Sequence, residues 1–274
     1  MVPKRVRSAR NRMALRDTSD PDLPEYLSTR NLNIHFGYRR EMTLPQALQS
    51  IFMWHNETLN IWSHGIGAIC FLFLLVAFGV SNGGGNKSKL PMIFFLACCV
   101  YTLSVSTYFH IVLCVSKEQC AFWRKMDFIA IIILMFSMFV PFCYYIFGQT
   151  SLYWLIYVGI AGAISIGSIQ IVLLPFFQKN KFNVLRPILF GLLGLWGLAP
   201  LIHAITLDRK YAFAIALVFI QLLIHGIGAA FYVSQFPERI YRNAANYNSH
   251  FFFHVFVVIG LLVFYASSMI LYSN

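Results

Sequence analysis

Charged residues divide this chain into long apolar runs. No Asp, Glu, Lys or Arg occurs in 58–86, 90–116, 128–178, 187–207, 211–237 or 243–274. A helix that crosses a bilayer needs about 20 mostly apolar residues. Five of the runs fit one such helix each. The run 128–178 is too long for one, and it carries Gly148-Gln149-Thr150-Ser151, a turn signal, near its middle. Division there gives seven spans, near 61–81, 90–114, 124–147, 151–175, 185–206, 211–234 and 249–272. The expected fold is an all-α integral membrane protein, a seven-transmembrane helix bundle.

The chain before the first span has another pattern. Thr43 and Gln46 have capping-box spacing, and Leu48, Ile51, Phe52, Leu59 and Trp62 then fall on one helical face. A short juxtamembrane helix on the inner membrane surface fits this, and so does an early extension of the first span. Residues 1–35 mix Arg, Asp, Pro and Ser without periodicity. The expected organisation is a mobile basic tail at 1–42, an interfacial helix at 43–60 and a seven-helix domain at 61–274. The first apolar run starts too late, and is too long, for a signal peptide.

Composition agrees. The chain is 58% hydrophobic, 17% aromatic and only 11% charged. A soluble domain carries about 25% charged residues. With a mean hydropathy of +0.66, a soluble enzyme, an extracellular disulfide scaffold and a disordered protein are excluded. The six cysteines lie mostly within spans and form no CxxC. They read as small apolar fillers.

The net charge of +11 does not point to nucleic acid, because of where it sits. Lys and Arg favour the cytoplasmic side of a membrane. The N-terminal segment and the second, fourth and sixth loops share one side and hold 17 of the 21 basic residues. Only Lys87, Lys89, Arg209 and Lys210 lie opposite. This places the N-terminus in the cytoplasm and the C-terminus outside the cell or in a lumen. The cluster Lys4, Arg5, Arg7, Arg10 and Arg12 suits anionic headgroups, and equally a solvated tail that enforces topology. The pattern does not separate plasma membrane from Golgi or endoplasmic reticulum.

Ionisable residues within spans are costly, so each is a candidate for function. They are His64, His110, Asp127, His203, His225, His250 and His254. By topology, His110 sits roughly 6 Å from the inner end of the second span. Asp127 falls in the first turn of the third span, and His250 and His254 in the first two turns of the seventh. His250 and His254 are four residues apart and project from one helix face, as do Ser106 and His110. Three helices thus place three histidines, a carboxylate and a hydroxyl in one layer. Three histidines with a water form a catalytic zinc arrangement. Asp127 would take a proton from that water, and Ser106 would orient the water or a substrate carbonyl. The plainer readings are an Asp127 paired with Arg124 or Lys125 and a Ser106 bonded to the Thr102 carbonyl. His203 and His225 lie at other depths and suit interhelical hydrogen bonds. His64 fits a supporting or an interfacial role.

Several stretches resemble the progestin and adipoQ receptor family. His55-Asn56-Glu57-Thr58-Leu59-Asn60-Ile61-Trp62-Ser63-His64 is similar to its HNETxNIWSH signature. Gly37-Tyr38-Arg39 resembles its upstream GYR element. Ser106-x-x-x-His110, Lys125-Met126-Asp127, Pro200-Leu201-Ile202-His203, Pro237-Glu238-Arg239 and Ser249-His250-x-x-x-His254 resemble its later motifs. The likeness covers roughly residues 34–260. That family includes adiponectin receptors, membrane progestin receptors, fungal zinc-homeostasis relatives and hemolysin-III-like proteins. The resemblance implies a seven-helix receptor with its N-terminus inside and a Zn2+ held by His110, His250 and His254. In the adiponectin receptor branch it also implies hydrolysis of a lipid amide, with ceramide as substrate. It implies an inner-leaflet cavity for a ceramide-like lipid or fatty acid, and an extracellular protein or steroid as ligand class. Two departures stand out. Residues 241–248 lack the P-G-x-F-D run common before the last helix, and Phe251 stands where the pattern often has Gln.

Three functions follow for comparison. The first is a zinc-dependent lipid amide hydrolase with Asp127 and Ser106 as catalytic residues. The second is a signalling receptor or scaffold whose zinc is structural. The third, zinc transport, would need ligands strung across the membrane, and the ligands here cluster in one layer.

Overall fold

The computed structural model describes residues 15–29, 31–81, 87–148, 150–175, 185–241 and 245–274. The basic cluster at 4–12, Gln149 of the expected turn, and Lys179, Lys181 and Arg242 of the loops lie outside those residues. Two short helices, α1 (Glu25–Ser28) and α2 (Leu44–Gln49), precede seven long ones. These are α3 (Thr58–Val80), α4 (Leu90–Val112), α5 (Lys117–Phe147), α6 (Leu152–Leu173), α7 (Leu185–Ile205), α8 (Ala212–Ser234) and α9 (Ser249–Ser273). All seven are long and apolar enough to cross a membrane. The chain is therefore an integral membrane protein of the expected all-α, seven-helix class. Among the described residues the β structure is one isolated bridge, Arg16 to Tyr38.

Each long helix packs on its neighbours in the chain, and α9 returns to pack on α3, which closes a ring. The third span, α5, also touches α7 and α9. Its apolar window is 56% buried, against 22% for α6. This difference puts α5 inside the bundle and leaves α6 mostly to lipid. Ile69, Phe73, Leu155, Leu195 and Leu223 point outward, as expected where the solvent is hydrocarbon. Inside, Phe71, Met92, Phe95, Leu96, Leu103 and Leu261 form a core without exposure to solvent. All six cysteines are free, and five of them are buried.

The third span begins earlier than the charge pattern suggests. Ser116 accepts a hydrogen bond from the Gln119 amide and caps a helix that starts at Lys117. Lys117, Glu118, Arg124 and Lys125 mark an exit from the apolar layer, and charges do not stop a helix. Asp127 consequently lies ten residues into α5, about 15 Å along its axis and not in its first turn. At the other end Gly148, with φ of +83°, stops α5.

The segment 43–60 is not one continuous helix. Gln46 Oε1 accepts from the Thr43 amide at 3.0 Å, as the capping-box spacing suggests. After α2 a 3₁₀ turn covers Ser50–Phe52. The chain then breaks, because local side chains take its backbone bonds. Thr58 Oγ1 donates to the Met53 carbonyl at 2.7 Å and accepts from the His55 amide at 2.8 Å, while His55 Nδ1 accepts from the Glu57 amide. Residues 31–42 run across this end of the bundle, with Ile34, Tyr38, Arg39 and Met42 buried. Gly37, at φ of +83°, lets its carbonyl accept from the Asn56 amide at 2.9 Å.

Candidate metal centre

His110 closes the last turn of α4, and His250 and His254 open α9. Asn248 caps α9 by accepting from the Phe251 amide at 3.1 Å. These adjacent helix ends bring the three rings together. His250 Nε2 stands 3.2 Å from His110 Nε2 and 3.1 Å from His254 Nε2. The three ligand atoms lie within 4.8 Å of one another, with His110 and His254 buried. This is a buried three-histidine cluster able to coordinate a metal ion.

The remaining ring nitrogens set the protonation. His110 Nδ1 is 2.8 Å from Glu57 Oε2, so it donates to that carboxylate. His254 Nδ1 is 3.2 Å from the Asn60 carbonyl, which can only accept, so it also carries its hydrogen. In the neutral form that a metal ligand requires, both Nε2 atoms present lone pairs. In that form at most one proton, that of His250, lies among the three converging Nε2 atoms. A cation between them relieves that repulsion. At metal–nitrogen lengths of about 2.0–2.1 Å, tetrahedral geometry separates two nitrogens by about 3.3 Å. The observed separations fit a small N-ligated ion, and zinc suits neutral imidazole.

The supporting groups come from the start of α3 and the residue before it, and reading the spans for ionisable residues finds His64 among them but not Glu57, Asn60 or Ser63. Glu57 holds His110 and accepts from Asn60 Nδ2 at 2.7 Å. Ser63 Oγ lies 3.2 Å from His254 Nδ1. His64 stacks on His254 with ring centroids 3.5 Å apart and planes at 6°. Its burial against the His254 ring suits a supporting role. A signal was present. Asn56, Glu57, Asn60, Ser63 and His64 are unusually polar for the entry of an apolar span. Such partners orient ligands and fix their tautomers.

Ser106 and Asp127 are both buried, at 2% and 6% exposure. Thr102 Oγ1 donates to the Ala130 carbonyl at 2.9 Å, which fixes the register of antiparallel α4 and α5. Ser106 is one turn beyond Thr102, and Asp127 about one turn before Ala130. They share a level one turn, about 6 Å, deeper than His110.

The other span histidines behave as interhelical ties. His203 Nδ1 lies 3.1 Å from the Tyr157 hydroxyl, joining α7 to α6. His225 pairs with Gln221 Nε2 at 2.7 Å and approaches the Val257 carbonyl at 3.4 Å. Gly260 admits that ring, since a Cβ there would lie 2.2 Å from His225 Nε2.

A family model described as haemolysin-III related matches residues 52–265. The chain is similar to heptahelical transmembrane protein 1 of Arabidopsis thaliana, at 32% identity over 91% of this chain and 79% of that protein. It is similar to progestin and adipoQ receptor-like protein 1 of Caenorhabditis elegans, at 30% identity over 89% of this chain and 58% of that one. It also resembles the adiponectin receptor protein of Drosophila melanogaster, at 28% identity over 89% and 57% respectively.

Proposed function

The chain belongs to the haemolysin-III-related family, which takes in the progestin and adipoQ receptors, and from that membership we propose an adiponectin-receptor-like receptor that hydrolyses a lipid amide such as ceramide. The observation that carries the reading is the convergence of three Nε2 atoms, two of them with lone pairs fixed by Glu57 and Asn60. His110, His250 and His254 would hold zinc. Bound there, zinc supplies a Lewis acid that polarises a carbonyl and makes a nearby water acidic. Asp127 would accept the proton of that water and later return it to the leaving amine. Ser106 would hold the substrate carbonyl by donating a hydrogen bond. Glu57, Asn60 and His64 keep the ligand rings oriented.

The basic residues set this end of the bundle against the cytoplasm, with the C-terminus outside or in a lumen. On α2 and the turn after it, Leu44, Leu48 and Phe52 form one exposed apolar row, with Trp54 and Trp62 beside it. Such a face suits the headgroup region of the inner leaflet, with the basic tail against anionic lipid. A second reading is favoured by the span of the contacts. Glu57 on the α3 side, His110 on α4 and His254 on α9 are tied into one cluster, so zinc could serve as a structural pin in a signalling receptor or scaffold.

The test is zinc per chain in detergent-purified protein, wild type against His254→Ala, followed by a lipid-amide hydrolysis assay. About one zinc in wild type, lost in the variant, with amide turnover, is the expected result. No zinc in folded wild type would overturn the metal site and the hydrolase together. Zinc without turnover would leave the structural reading.

A further inference from the structure

Two motifs have no part in that chemistry, Gly37-Tyr38-Arg39 and Pro237-Glu238-Arg239. Both reach the helix ends that carry the histidines. Arg39 is 3% exposed. Its guanidinium donates to the His110 carbonyl, to the Ile111 carbonyl at 3.0 Å and to Ser50 Oγ at 2.9 Å. The carbonyls of a helix's last turn lack partners within the helix. Arg39 satisfies two of them on α4, and its charge complements the negative end of the helix dipole. Glu238 is 2% exposed and does the reverse for α9. Its Oε2 accepts from the Ser249 amide at 2.7 Å, and its Oε1 accepts from Ser249 Oγ. A carboxylate at a helix N-terminus is likewise favourable.

Residues 31–39 join these two clamps. Asn31 Nδ2 donates to Glu238 Oε1 at 2.8 Å, and Asn33 Nδ2 donates to Gln235 Oε1 at 2.6 Å. Met42, just beyond, donates its amide to the Cys114 carbonyl at 3.1 Å. One stretch of chain therefore holds the end of α4 under His110 and the start of α9 under His250.

We propose that residues 31–39 and Glu238 form a strap that sets the relative position of the α4 and α9 ends, with Arg39 and Glu238 as positioning residues for the histidine cluster. The proposal deepens the metal-centre reading and rests on it for the consequence in zinc affinity. The coupling between the helix ends holds with or without metal. Release of the strap would separate His110 from His250 and loosen the site, so whatever displaces residues 31–39 from this end would control the metal.

The test uses Arg39→Gln, Arg39→Lys and Glu238→Gln in the full chain. Lysine keeps the charge and loses the planar fork that reaches two carbonyls. Zinc affinity by chelator competition should fall about tenfold in Arg39→Gln and Glu238→Gln, at the lower end of the range for supporting groups. Arg39→Lys should fall between those variants and wild type. The visible spectrum of the cobalt-substituted protein should change in the same order. Amide exchange in metal-stripped protein supplies the second readout. Arg39→Gln should speed exchange severalfold at 249–254 as well as at 110–116, and Glu238→Gln should do so at both ends too. Exchange confined to each variant's own helix end would overturn the strap, and so would unchanged zinc affinity and cobalt spectra. Wild type without zinc would sink the metal reading alone, because exchange at the remote end still decides the coupling.

Discussion

The two ends of the bundle each gather histidine among aromatic and polar side chains, and they differ in where the ring nitrogens point. At one end His203 Nδ1 meets the Tyr157 hydroxyl at 3.1 Å, and its ring packs among Phe147, Tyr153 and Tyr157. Donor and acceptor are matched within protein, so the contact is a tie between α6 and α7. At the other end the outer nitrogens of His110 and His254 are matched by Glu57 and Asn60, while the inner ones face each other across His250. Burial differs too, since His203 and Tyr157 are half-buried beside an exposed Tyr153, whereas His110 and His254 are buried. What separates a tie from a ligand set is that three Nε2 atoms converge at the second end, at separations that could hold a metal ion.

The largest test of that contrast is His254→Ala. Zinc should fall from about one per chain to near zero, because three protein ligands are the usual minimum for a tetrahedral site with an open position. Metal analysis of the purified variant checks it, and retained zinc would move the ligand set elsewhere. Asp127→Asn comes next. Under the hydrolase reading it keeps zinc and loses about 10²–10⁴ in turnover, the usual contribution of a positioned base. Full turnover would sink the assigned role. Glu57→Gln is the gentler probe. The amide still accepts from His110, without the charge, and zinc affinity should drop about 10–100-fold. An unchanged affinity in chelator competition would mean that the backing carboxylate has no influence on the ligand.

Acid sharpens the same end. His55 lies in the loop before α3 with its ring buried, and burial beside the Arg39 guanidinium lowers its pKa to about 3. The folded protein therefore keeps His55 neutral, while the unfolded chain protonates it near 6.5. Below that pH the unfolded state binds the extra proton, so stability falls as pH falls, by about 1.4 kcal/mol per unit from this group. The loss continues toward pH 3. Comparison of wild type with His55→Gln between pH 7 and 5 isolates it, and the variant should show the shallower decline. Parallel curves would remove His55 from the acid response.

Much of this was legible in the chain. Charge-free runs located the spans, since hydrocarbon excludes charge whatever the helix packs against. The alternation of spans put His110, His250 and His254 at one level because they lie near helix ends on the same side. Three things were harder to read. The start of α5 depends on the Ser116 cap, a local hydrogen bond invisible to a search for charge. The break at 53–57 depends on side chains of His55 and Thr58 competing for backbone groups. The roles of Asn60 and Ser63 depend on which face of α3 turns toward α9, and that of Glu57 on how the residue before α3 meets the end of α4. That is a packing decision, and α3 is apolar on every side except at its entry, so no amphipathic stripe announces it.

The smallest expected effect falls at the other end of the bundle, and it closes the contrast. His203→Phe removes the bond to Tyr157 and keeps a ring of similar shape among its aromatic neighbours. Interhelical hydrogen bonds in membranes average about 0.6 kcal/mol, because the alternative state also finds partners. The loss in stability should be of that order, with zinc content and turnover unchanged. Phe147, Tyr153 and Tyr157 would still pack against the new ring. Thermal denaturation and metal analysis of the same preparation report both halves of the expectation. A His203→Phe variant that lost its zinc would show that the two ends are coupled through the bundle, and the separation of tie from ligand set would no longer hold.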